Sequence, residues 1–219
     1  MKKQTAYSLP EEIVNSSTHA AGLVMGLVVC LLFLVKGSVA ESHLVTVSLL
    51  LYIFGVVSSY ATSTIYHAIP ARKVEAKALA RKFDHAAIYW HIAGSYSPIT
   101  LVALREQGYW GWTLFCFVWL CAIAGTIMSF RKLKEHNNWE TVCYVLMGLV
   151  VLVAFKPLID AVSPNAVGWI IGEGACYITG ALFYSLNKRP YMHSVFHFFV
   201  LGGSVCHILA VWDILKTYI

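Results

Sequence analysis

A chain of 219 residues that is 58% apolar and only 12% charged, with a mean hydropathy of +0.67, lies outside the range of water-soluble domains. The formal net charge of +5 is read as a topology signal with some attraction to anionic headgroups, and it makes no case for nucleic acid. Apolar windows run continuously rather than alternating in short segments, which argues against a β-barrel and for an all-α integral membrane protein.

Crossing the bilayer takes about 20 mostly apolar residues as a helix, and windows of that kind fall at 18–36, 44–67, 84–104, 110–130, 139–157, 166–186 and 193–214. Seven transmembrane helices with short connections predict a single domain over residues 1–219. Before span one, "EEIVNSSTH" supplies Glu12, Asn15 and His19, which share a face if the helix reaches back that far. "KGSVAES" after that span mimics a signal-peptide cleavage site at Ala40, but the polar residues ahead of it suit a retained helix better. Span two closes on "SSYATSTIYH", where Ser63 and His67 lie one turn apart on one face. The following "PARKVEAKALARKF" predicts a short basic helix on the membrane surface.

Span three opens with "KFDHAAIYWH": Asp84 and His91 line up, His85 is expected at the interface, and Pro98 is a candidate kink. Tyr109, Trp110, Trp112, Trp139 and Tyr191 sit near span ends as interfacial anchors. Glycines such as Gly94, Gly125, Gly148, Gly174 and Gly203 permit close helix packing. Glu173 in span six is expected to pair with another helix or to line a cavity. Span seven carries His193 and His197 on one face and His207 deeper; His91 and His207 read as core histidines. The six cysteines have no CxxC pair and read as small apolar residues, not as a disulfide framework or zinc site.

Basic residues near span ends stay cytoplasmic. A cytoplasmic N-terminus, with the C-terminus outside, places 12 of the 16 Lys and Arg on one side, leaving Lys36, Arg105, Lys156 and Lys216 on the other. The same orientation brings Glu12, His67, Asp84 and His193 to the cytoplasmic side. Three imidazoles with a fourth position open are a ligand set of catalytic zinc sites, and His67, His193 and His197 would fill it. No glutamate stands between the paired histidines as in HExxH, so a base must come from elsewhere. Asp84 is the candidate general base and Ser63 a hydroxyl to hold the water or an oxyanion. Glu12, Asn15 and His19 are expected behind the ligands. A metal-activated water beside lipid points to hydrolysis of a lipid amide or ester.

In order, Glu12, Asn15, Thr18 and His19, then Ser63, His67 and Asp84, then His193 and His197, together with "AGSYSP" and "LGGSVCH", resemble the bacterial hemolysin III proteins of the progestin and adipoQ receptor superfamily. The resemblance covers nearly the whole chain. It implies seven helices with the N-terminus inside and Zn2+ held by His67, His193 and His197, with Asp84 and Ser63 around its water. The family is also similar to alkaline ceramidases, which implies a lipid amidohydrolase of the inner (cytoplasmic) membrane, with membrane lipids as partners and a role in lipid homeostasis. The long N-terminal extension of the eukaryotic receptors has no counterpart here, so hormone binding is not expected. The alternatives are a receptor-like sensor of membrane state with a structural zinc, and a pore-former, the latter at odds with a buried polar site.

Overall fold

A computed structural model describes residues 7–37, 42–131, 138–186 and 189–218. Lys2, Lys3, Lys132, Lys134 and Lys188, which enter the charge argument, the Ala40 cleavage motif and His136 lie outside these residues. The described residues form α1 (Leu9–Gly37), α2 (His43–Ala68), α3 (Val74–Pro98), α4 (Trp110–Phe130), α5 (Asn138–Leu149), α6 (Phe155–Ala161), α7 (Pro164–Ser185) and α8 (Met192–Tyr218). Helices α5 and α6 are two parts of one rod, joined by a 3₁₀ segment, Val150–Ala154. Six helical segments are long and apolar enough to cross a membrane, and they carry exposed Leu31, Leu120, Val153, Leu182 and Phe198 on faces suited to lipid. Helix α3 is not among the six, because Glu75, Lys77, Arg81, Lys82 and Asp84 crowd its first half. An all-α membrane architecture follows.

Local chemistry sets the ends that matter for the site. Ser8 and Glu11 form a capping box: the Ser8 backbone N–H donates to Glu11 Oε2 at 2.9 Å, and the Glu11 N–H faces Ser8 Oγ at 3.5 Å. Helix α1 therefore begins well before residue 18 and takes Glu12, Asn15, Thr18 and His19 into one helix. Glu11 Oε1 also accepts from the Tyr191 N–H at 2.8 Å. Tyr191 adopts φ 62°, a left-handed backbone unusual for a bulky residue, immediately before α8.

Helix α3 begins ten residues earlier than the apolar window suggests. The stretch expected as a separate surface helix is its first turns, since no glycine or proline interrupts Val74 to Ser97 except Gly94. At Pro98 the chain lacks an N–H, and the ladder slips into a buried π-turn, Ile99–Ala103, with Leu104 N–H reaching Ile99 O at 2.9 Å. The break at Val150 has a different cause. Tyr96 inserts its hydroxyl into the ladder, donating to Gly148 O at 2.7 Å and accepting from Val151 N–H at 2.8 Å.

Helices α2 and α3 pack backbone to backbone at Gly55 and Gly94. A Cβ at Gly55 would lie 2.5 Å from Trp90 O, and one at Gly94 2.7 Å from Leu51 O, so only hydrogen fits at this crossing. Helix α1 packs against both α2 and α8, α7 against α8, and α5 reaches α3 and α7 only sparsely. Phe33, Leu49, Tyr52, Val56, Ile214 and Leu215 form the core between the first, second and last helices. Between α3, α5 and α7 the packing leaves a cavity of about 570 Å³. Gly148 and Gly174 border it with nothing within 4 Å of a built Cβ, so these two glycines widen the cavity instead of tightening a helix contact.

Candidate metal centre

His67 at the end of α2 and His193 and His197 in the first turns of α8 meet at one end of the bundle. His193 Nε2 lies 3.2 Å from His67 Nε2 and 3.0 Å from His197 Nε2, and all three rings are buried. The i, i+4 spacing puts the α8 pair on one face, and the α1 contacts hold that face toward α2.

Proton positions follow from the partners. A carboxylate only accepts, so His67 Nδ1 carries the proton it shares with Glu12 Oε2 at 2.6 Å. The other Glu12 oxygen accepts from Lys77 Nζ at 2.7 Å. Thr18 directs its hydroxyl proton to the carbonyls of Val14 and Asn15, each at 2.9 Å, which leaves its oxygen to accept from His197 Nδ1 at 3.2 Å. Both rings therefore present Nε2 lone pairs inward, at His193. Two or three such lone pairs repel unless a cation lies between them. Ligand nitrogens about 2.0–2.1 Å from a tetrahedral zinc stand roughly 3.3 Å apart, so the residues fit a metal ion of this kind.

The remaining residues singled out from the sequence take different positions. Asn15 Oδ1 accepts from Ser194 Oγ at 2.6 Å, tying α1 to the residue after His193. The His19 ring nitrogens have no hydrogen-bond partner among the described residues; the ring stands edge-on to His197 with centroids 3.8 Å apart. Ser63 and Asp84 face each other across the α2–α3 contact, with His67 and His85 near the carboxylate. Both line the cavity, as do Glu12, His193 and His197.

Other participants came only partly into view in the sequence. Tyr7 stacks on His193 with ring centroids 4.8 Å apart and covers the trio from the N-terminal side, and burial pushes its phenol above the ordinary tyrosine range. His85, expected at the interface, instead turns inward, with Nδ1 2.6 Å from Glu140 Oε2. Glu140 is itself buried and also faces Ser129 Oγ at 3.4 Å. Thr18 belongs to the first motif, but its bond to His197 spans 179 positions and no local spacing announces it. Glu173 both pairs with His207, at 2.8 Å, and lines the cavity.

Comparison with known proteins places the chain among a group of relatives. The family described as Haemolysin-III related matches residues 7–208. "Hemolysin-3" of Bacillus cereus is 33% identical over 96% of this chain and 94% of its own length. "Hemolysin-3 homolog" of Bacillus subtilis (strain 168) is 31% identical over 94% of each chain. "Monocyte to macrophage differentiation factor" of Homo sapiens is 28% identical over 97% of this chain and 87% of its own length.

Proposed function

The chain belongs to the haemolysin-III related family, and from that premise we propose that it is a zinc-dependent membrane hydrolase of a lipid amide or ester. One observation carries the reading: His193 Nε2 lies 3.2 Å from His67 Nε2 and 3.0 Å from His197 Nε2, with one ligand atom of each of the three rings within 4.8 Å of the others, beside an apolar cavity that Asp84 and Ser63 line. The cavity's walls include Leu152 and Ile171, which are more than half exposed on faces suited to lipid, so a chain can enter sideways from the bilayer. In this reading the N-terminus is cytoplasmic, the protein sits in the inner membrane, and its activity serves membrane lipid homeostasis.

The three histidines would hold zinc, which supplies Lewis acidity at a substrate carbonyl and makes a water a better nucleophile. Glu12 and Thr18 hold the His67 and His197 rings in the tautomer that ligates. Asp84 takes up a proton during attack and returns it to the leaving group. Ser63 donates to that carboxylate while it is ionised, and once Asp84 has taken the proton its hydroxyl is free to donate to the oxygen on which charge develops. Tyr7 and Tyr66 at the mouth keep bulk water from the trio.

The test is release of fatty acid or headgroup from a lipid panel by purified protein in nanodiscs, with and without Asp84→Asn. Absence of turnover across ceramides, phospholipids and acylglycerols would leave the second reading, a sensor of membrane state with a structural metal. That reading draws on the way the site joins α1, α2 and α8.

A further inference from the structure

The cavity that starts at the histidine trio has a second polar station deeper between α3, α7 and α8. His207 Nδ1 lies 2.8 Å from Glu173 Oε2, so its proton sits on Nδ1 and Nε2 presents a lone pair. That Nε2 is buried without a hydrogen-bond partner among the described residues, and so are His91 Nε2 and Ser95 Oγ. The side chains belong to residues only 1%, 7% and 5% exposed, for His207, His91 and Ser95, and all three line the cavity with Glu173. His91 and Ser95 are one turn apart on α3, and His91 lies near His207. Polar groups left unmatched at this depth in a membrane protein are costly, and they call for a bound polar partner.

The partner's chemistry can be read from what is missing. His207 Nε2 needs a donor, and Ser95 Oγ can both donate and accept; a hydroxyl meets both needs, while a methylene chain meets neither. Its distance from the trio can be read from the helices. His207 is ten residues beyond His197 on α8 and His91 seven beyond Asp84 on α3, a separation of about 10–15 Å, spanned by roughly eight to twelve carbons of extended chain.

We propose that this station binds a hydroxyl carried partway along the acyl chain of the amphiphile whose head lies at the histidine trio, so that the protein prefers chain-hydroxylated lipids. The proposal rests on the lipid reading above. The full-length, metal-loaded protein in nanodiscs is titrated with stearic acid and with monohydroxylated stearic acids bearing the hydroxyl near the head, at mid-chain and near the tail. The mid-chain isomer binds about ten-fold tighter than stearic acid. Ser95→Ala and His207→Phe bring that ratio toward one, with stearic acid affinity and metal content unchanged. Ser95→Ala removes a single oxygen and keeps the test decisive if His207→Phe misfolds. Equal binding of all isomers overturns the proposal and assigns the station to water alone, leaving the lipid reading intact. No binding of any fatty acid overturns both.

Discussion

Glu12 bridges a histidine and a lysine: one carboxylate oxygen holds His67 Nδ1 at 2.6 Å, the other Lys77 Nζ at 2.7 Å. Lys77 also donates to the carbonyls of Tyr66 and Ile69 at the end of α2, so one lysine from α3 closes the helix that presents His67. Replacing Glu12 by Gln removes the charge that makes the His67 ring a strong donor to a metal. Zinc affinity measured by chelator competition should fall about 10–100-fold. Unchanged affinity would detach Glu12 from the site.

His193→Ala and His197→Ala each remove one of the three proposed ligands. Elemental analysis of purified protein should show metal content falling to near zero in both, and chelation of the wild type should lower its melting temperature. Restoring zinc at about one hundred times its Kd should return roughly 2.7 kcal/mol of stability. Metal retained by both variants would remove the centre altogether.

Asp84→Asn separates chemistry from scaffolding. The side chain keeps its volume, and none of the ligand contacts runs through it, so metal content and melting should match the wild type while lipid hydrolysis drops about 10²–10⁴-fold. A variant that hydrolyses normally would mean that Asp84 is not the base.

Gly94→Ala tests the crossing that brings Ser63 to Asp84. The added methyl meets Leu51 O at 2.7 Å, a backbone atom that can move only with α2. We expect a loss of about 1–3 kcal/mol in unfolding stability, with weaker metal binding. Gly148→Ala, whose methyl would enter open space, should melt like the wild type. Equal behaviour of the two variants would contradict the close approach.

The helical character and the pairing of His193 with His197 were legible because apolar windows and the 3.6-residue period are local signals. The meeting of His67 with that pair was legible one step further out, through the bias of Lys and Arg to one set of span ends. Rotation of one helix about its axis is not local. His85 and Glu140 are 55 positions apart, and whether His85 turns inward depends on how α3 sits on α2 at Gly55. Nor does a hydropathy window see where a charged helix starts: α3 carries Arg81 and Lys82 half-buried and turns Lys77 inward to Glu12. The Val150 break escaped for a similar reason, since its cause is a tyrosine from another helix.

The histidine trio draws on α2 and α8, with His67 and His193 126 positions apart, and its backing comes from α1. A ribosome delivers those pieces in order, so nothing can close this site until the final helix has emerged and entered the bundle beside the first. Nascent chains arrested before residue 192 should thus lack high-affinity zinc uptake, and metal capture becomes a timestamp for the end of membrane insertion.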